Sequence, residues 1–244
     1  MLFGGPVGSN VVDGRVLREP GWLAEQVEGS LRQWGTRDVR VAAVLWWYSV
    51  STVLPAPSLA TWFMAGRPVD PAPESLLLHP GGAGLPVSAR ARRVLVGTAG
   101  TVGTAGGAGL AKPLRELLET CVDGLSEVAG IRPRPLWAVA SDSLGNVLLR
   151  VGQETGREAE ASLAAEELAG LIGDPLPRPR WVDVGAGPDG SPDRPEQAVR
   201  FLRRASCCLI YRLPVEAMCV SCPRRAPEDR AARLRATAAR LLEG

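Results

Sequence analysis

A chain of 244 residues is long enough to bury a full core, and 45% apolar against 22% charged residues excludes disorder as its default state. A formal net charge of +2 supplies no global field that would draw the chain to nucleic acid or to a membrane surface. Lys112 is the only lysine, so arginine carries almost all of the positive charge.

The N-terminus, MLFGGPVGSNVVDG, has no basic region, apolar run or small-residue cleavage site, and predicts no signal peptide. The most apolar stretch runs from Val39 to Met64 and is broken by Arg40, Pro55 and Pro57. Its longest uninterrupted run, Val41 to Tyr48, is far short of the roughly 20 residues of a membrane-spanning helix. A cytosolic protein without membrane insertion is expected. In that compartment clustered cysteines mean metal or redox chemistry before structural disulfides.

Taken in chain order, Pro20 to Gly35 reads as a first helix, with Leu23, Val27 and Leu31 on one face and Gly35 as the stop. Val39 to Ser51 reads as a second, buried helix carrying Trp46, Trp47 and Tyr48, which Pro55 and Pro57 break before helix resumes from Ser58 to Ala65. Leu76 to Leu78 and Arg93 to Val96 read as short strands among Pro/Gly turns, and the Gly/Ala/Thr segment from Thr98 to Gly109 as a loop. Leu114, Leu118, Cys121, Leu125 and Val128 recur at helical spacing up to Gly130. Leu136 to Leu149 and Glu158 to Ile172 predict two further helices, followed by a strand at Trp181 to Val184 and an exposed loop from Gly185 to Pro195. The chain closes on an amphipathic helix, Glu228 to Leu242, with Ala231, Leu234, Ala238 and Leu241 on one face and Pro227 at its start. The fold class expected is α+β, mainly α-helical, with a small β-sheet and no internal repeat.

Four of the five cysteines fall close together: Cys207 and Cys208, ten residues, Cys219, two residues, Cys222, then Pro223. A disulfide between neighbours Cys207 and Cys208 would demand a distorted peptide. The choice lies between zinc and an iron–sulfur cluster. Zinc sites pair two Cys-x2-Cys knuckles around one tetrahedral ion, and here only Cys219 and Cys222 have that spacing. The adjacent pair points its side chains in divergent directions when extended, which a centre with more than one iron tolerates better than a single ion does. The spacing favours iron–sulfur, with zinc as the alternative.

The segment Arg203-Arg204-Ala205-Ser206-Cys207-Cys208-Leu209-Ile210-Tyr211-Arg212-Leu213-Pro214, with Met218-Cys219-Val220-Ser221-Cys222-Pro223, resembles the C-terminal signature of FhuF-type ferric siderophore reductases. The shared pattern is Cys-Cys-x10-Cys-x2-Cys. The resemblance extends more loosely over Ala42 to Asp70 and Lys112 to Leu144, and covers neither the Gly/Ala/Thr loop at 98–109 nor the loop at 185–195. It implies a [2Fe–2S] cluster held by Cys207, Cys208, Cys219 and Cys222. It further implies residues 1–195 as a helical reductase-like domain with a small sheet, and 196–244 as the cluster-binding segment with the terminal helix. The activity implied is one-electron reduction of a ferric siderophore. No flavin or nicotinamide motif occurs, so a separate donor, a ferredoxin or a flavoprotein, is expected as partner. The alternatives are an iron–sulfur sensor, for which no basic recognition helix stands out, and a zinc-stabilised binding module.

Arg203, Arg204, Arg212, Arg224 and Arg225 flank these cysteines, against Glu216. An oxidised all-cysteine [2Fe–2S] unit carries a charge on the order of −2, and reduction adds one more. Arg203, Arg204, Arg212 and Arg224 are therefore candidates for tuning the redox couple or holding an anionic substrate. Against this stands the reading of a solvated face on an arginine-rich protein. Cys121 is in register with an apolar helix face and reads as core. His79, the only histidine, reads as a turn residue before Pro80-Gly81-Gly82 in preference to an iron ligand. Gly107-x-Gly109 is followed by Lys112 where a third glycine belongs, so no nucleotide site is expected. Trp46, Trp47, Trp62 and Trp137 read as core, with one or two able to line a cleft.

Overall fold

Local punctuation sets where the helices begin and end. The computed structural model describes residues 11–81, 85–95, 104–185, 198–214 and 218–243. Helix α1, Pro20–Trp34, starts on its proline and stops at Gly35, whose φ of 59° lies in the left-handed region that glycine enters without steric cost. Helix α2, Val39–Val53, is capped by Asp38, whose Oδ1 accepts from the N–H groups of Arg40 and Val41 at 3.0 and 3.2 Å. Helix α3, Ala56–Ala65, begins two residues earlier than expected. Pro57 sits in its first turn, where a missing N–H would have had no partner, so this proline starts a helix instead of breaking one.

Helix α4 runs over Thr104–Ala129, which corrects the loop expected through Gly109; residues 98–103 lie outside the described residues. Gly107 lets this end of α4 approach its neighbours. A Cβ on Gly107 would stand 3.1 Å from Leu171 Cδ1 and 3.4 Å from Trp62 Cζ2. Helices α5, Pro133–Thr155, and α6, Glu158–Ile172, follow. α5 extends about one turn before the expected span Leu136 to Leu149 and nearly two turns beyond it.

Strands β1, Val12–Asp13, β2, Leu76–Pro80, and β3, Pro86–Ala91, form an antiparallel sheet in that order, with Leu78 opposite Val12 and Ala89. The strand expected at 93–96 is displaced to β3. Arg93 is drawn away to Asp70 at 2.9 Å, and Val94 makes a single bridge to Val69. His79 is buried within β2 opposite Ser88, and is not a turn residue. A second pair, β4, Trp181–Gly185, and β5, Ala198–Leu202, is antiparallel with Trp181 opposite Leu202. β5 was not foreseen, and 186–197, most of the expected loop, lies outside the described residues. This hairpin ties 181–185 to the segment expected to begin at 196.

The core lies where α2 crosses α5, with α3, α4 and α6 around them. Trp46, Trp47, Trp62 and Cys121 are buried there. Trp47 Nε1 donates to the Leu136 carbonyl at 2.9 Å, and the hydroxyls of Ser51 and Ser143 meet at 2.6 Å across the helix pair. The stretch Val39–Ala65 is apolar and long enough to cross a membrane, but 67% of its most apolar window is buried inside the protein, as in a core helix.

Helix α7, Pro227–Leu242, covers the second hairpin with Leu234 and Ala238 against Val184. Leu241, expected on that buried face, is 60% exposed. A 16-residue helix spans about 24 Å and a five-residue strand about 17 Å, so the last turn overhangs the hairpin.

Candidate metal centre

Strand β5 delivers the cysteine loop to the core. Gly145 of α5 permits this approach: a Cβ there would meet Leu202 Cδ1 at 2.9 Å and Trp181 Cη2 at 3.3 Å. Beyond Leu202 the chain leaves the sheet and is caught by one carboxylate. Asp142, on α5 and buried, accepts from the N–H groups of Ala205 and Ser206 at 2.9 and 3.0 Å and from the Ser206 hydroxyl at 2.6 Å. It also lies 3.5 Å from Arg204 Nε. A charge taken out of water is stable only when so surrounded, and here the same bonds set the path of residues 204–206.

Cys207 and Cys208 come next, and Leu209 then turns the chain at φ 64°, a left-handed conformation that a non-glycine residue adopts at a cost of order 1–3 kcal/mol. The turn aims the Leu209 and Ile210 N–H groups at the sulfurs of Cys207 and Cys208. Leu213 then anchors the loop on Val41 and Leu45 of α2. The second pair sits in a turn closed by Cys222 N–H to Cys219 C=O at 3.2 Å. Arg225 holds that turn: its guanidinium donates to the Cys219 carbonyl at 2.8 Å and to the Met218 carbonyl, and it pairs with Asp229 of α7 at 2.6 Å.

The loop folds so that Cys207 meets Cys222 and Cys208 meets Cys219. Two facing sulfur pairs suit a binuclear centre. The hydrogen bond from Cys219, then the Ile210 N–H and Arg204, hold the Cys208 thiol down at about 5 against its burial. Cys219, donating to Cys208, is pushed up; burial, first, raises Cys207. Four clustered sulfurs, N–H···S bonds and an adjacent fixed cation are what an iron–sulfur ligand set needs, so the residues fit the group.

Of the arginines proposed from the sequence, Arg204 alone reaches sulfur among the described residues, with Nη1 3.2 Å from Cys219 Sγ and 3.9 Å from Cys208 Sγ. Its side chain is 3% exposed and stacks over the Tyr48 ring at 4.8 Å. Burial works against its charge, but Tyr48, the two cysteines and Asp142 outweigh that and keep it protonated. Arg212 is exposed and paired to Asp38 at 3.3 Å, Arg224 lies over the Tyr211 ring at 5.3 Å, and Arg203 is exposed. Glu216 lies outside the described residues. Cys121 is fully buried in the core, away from the loop. Asp142 escaped the sequence reading. Its only signal was a lone charge in the helix from Leu136 to Leu149.

No curated protein matches the chain. A family model does: residues 204–224 match the FhuF 2Fe-2S C-terminal domain, the span that carries all four clustered cysteines and Arg204. That match turns the choice between zinc and iron–sulfur to the latter and bears out the resemblance seen in the cysteine spacing. Over these residues the chain is similar to the FhuF 2Fe-2S C-terminal domain, and the cofactor that this match indicates is a [2Fe–2S] cluster.

Proposed function

We propose that the protein is a cytosolic ferric-siderophore reductase in which Cys207, Cys208, Cys219 and Cys222 hold the cluster. The observation that supports this most is the FhuF-type cysteine loop itself, with its sulfurs in two facing pairs beside one buried guanidinium. The bound cluster supplies a one-electron couple. One electron leaves a separate donor, a ferredoxin or a flavoprotein, and ends on chelated Fe(III), which becomes Fe(II). Hard oxygen ligands hold Fe(II) far less tightly, so the chelate releases its metal.

The chain's own residues do the rest. Asp142 and Arg225 fix the two halves of the loop in register, and Arg204 sets a permanent positive charge on the sulfurs. Leu213 packed on α2 and α7 packed on the hairpin keep the loop from opening to water.

The test is anaerobic turnover of a ferric siderophore with a chemical or protein reductant, trapping Fe(II) with a ferrous-specific chromophore. Cluster-loaded protein accelerates Fe(II) release over the reductant alone, and protein stripped of iron does not. Equal rates with and without the loaded protein would refute the reading.

A further inference from the structure

Charge is not spread evenly along the chain. Residues 198–244 hold ten arginines against four acidic residues, a net of +6, in a chain whose formal net charge is +2. The remainder is net negative, so the segment that carries the cysteines is also the positive part of the molecule. Several of its arginines are neutralised within the fold. Arg200 pairs with Asp183, Arg204 with Asp142 and Arg212 with Asp38, while Arg225 and Arg233 share Asp229.

Arg180, Arg203 and Arg224 are different: they are exposed, and none of them is ion-paired among the described residues. Arg203 N–H donates to the Arg180 carbonyl at 2.7 Å, continuing the register in which Trp181 faces Leu202. The two arginines therefore stand opposite each other where the hairpin runs into the cysteine loop. Like charges directly across a strand pair are destabilising, a cost that an acidic partner removes. Both border the same cleft as Ser221 and Pro223, the residues on either side of Cys222, and Arg230 of α7 borders it too. Arg224 lies over the Tyr211 ring at 5.3 Å, so the cationic rim reaches the segment that follows Cys208. Inside that rim the surface is apolar, with Val220 37% exposed and Pro223 exposed. Cys207 and Cys219 are only half-buried, which brings sulfur close to solvent here.

We infer that this face docks the electron donor, and that the donor is an acidic one-electron carrier protein. The inference rests on the donor half of the reductase reading above. An apolar centre inside a charged rim is the anatomy of a protein–protein contact, and the sign of the rim selects a partner whose own surface is rich in carboxylates. Electron-transfer encounters bury less than about 1,200 Å² and depend on the field for their speed. The rim arginines raise the encounter rate, and the half-buried sulfurs let the electron cross once the carrier is seated. The carrier is oxidised by one electron and the cysteine-held centre is reduced by one. A nucleic acid or an anionic lipid surface would meet the same charge, but neither brings an electron to the sulfurs that the rim surrounds.

The probe is an acidic [2Fe–2S] ferredoxin, and two quantities are measured on cluster-loaded protein at rising salt. Calorimetry reads binding of the oxidised ferredoxin, and stopped-flow absorption reads electron entry from the reduced ferredoxin. Both are expected to weaken steeply with salt, which screens the charges that steer the encounter. R180Q/R203Q/R224Q is expected to weaken binding and slow electron entry about tenfold at low salt, and to match the parent protein at high salt. R180K/R203K/R224K is expected to retain both. R67Q/R90Q/K112Q removes three exposed cations outside residues 198–244 and is expected to change neither. Reduced methyl viologen, a small cationic donor, is expected to reduce the glutamine variant no more slowly than the parent. Visible absorption checks that every variant retains its cluster. Salt-independent binding, unchanged values in the glutamine variant, or an equal loss in R67Q/R90Q/K112Q overturns the inference. So does arginine-dependent binding of a DNA duplex or of phosphatidylglycerol vesicles without any effect on ferredoxin, which would assign the face to another anion. No siderophore enters these measurements, so their failure leaves ferric-chelate reduction standing. Salt-dependent electron entry from ferredoxin with no release of Fe(II) from a ferric chelate removes the reductase reading and leaves this face assigned.

Discussion

Asp142 and Arg204 are 62 positions apart in sequence and meet at 3.5 Å, each side chain 3% exposed, so that one buried carboxylate holds the arginine that touches two of the four cysteine sulfurs. The carboxylate fixes the loop and the guanidinium sets the charge at the sulfurs. The pair is the link between the helical core and the redox centre.

Asp142→Ala is expected to be severe, because it takes the carboxylate away from buried Arg204, from the buried Ser206 N–H and hydroxyl, and from the part-buried Ala205 N–H. Removing one partner of a buried pair costs about 3–5 kcal/mol. Iron loss to an external chelator should accelerate, and the 204–208 segment should become sensitive to protease while the helical circular dichroism persists. Asp142→Asn, which keeps one acceptor, should fall between. Unchanged iron retention in both variants would remove Asp142 from the role given to it.

Arg204→Gln is expected to lower the midpoint potential with iron and sulfide content retained. The reduced cluster is the more negative form, so a fixed cation stabilises reduction and its loss disfavours it. For a one-electron couple, about 59 mV corresponds to tenfold in the equilibrium constant. A shift of tens of millivolts is anticipated, with partial recovery in Arg204→Lys. Arg212→Gln should move the potential little, because Arg212 is exposed and paired to Asp38. Redox titration decides; an equal shift at both positions would show that the effect is long-range and not a contact with sulfur.

Serine at Cys207, Cys208, Cys219 or Cys222 is expected to deplete iron and acid-labile sulfide, whereas Cys121→Ser leaves both stoichiometric. Metal analysis with visible and EPR spectra of the reduced protein reads the result. A full cluster in Cys207→Ser would assign the ligands differently.

Cys121 also makes a pH prediction. Burial pushes its thiol up to about 12 from an ordinary value of about 9. Between those values the unfolded chain releases the proton and the folded chain keeps it, so stability falls as pH rises above 9. The slope is about 1.4 kcal/mol per pH unit from this one group. Urea titrations between pH 8.5 and 10.5 should show a shallower decline in Cys121→Ala than in the parent chain, and parallel curves would contradict the assignment.

The cysteine spacing, the helical periodicity from Leu114 to Val128 and the stop at Gly35 were legible in the sequence because each rests on interactions within a few residues. So were the core roles of Cys121 and the tryptophans, which follow from apolar register alone. The Gly/Ala run misled because its meaning lies in what packs on it: Gly107 sits against Trp62 and Leu171 and builds a helix contact, whereas in isolation such residues read as a flexible loop. Five flanking arginines looked alike as sequence neighbours. Only the tertiary fold, by carrying residue 204 inward to Asp142 and leaving 203, 212 and 224 at the surface, separated the one that touches sulfur from those that do not. Asp142 itself was beyond any local reading, since a carboxylate becomes an anchor only when a strand from elsewhere in the chain brings it N–H groups to bind. The sequence by itself determined the ligand chemistry and the helical frame; which charges face that chemistry was decided by contacts between residues distant in the chain, where burial turns an ordinary ion pair into a fixed electrostatic setting.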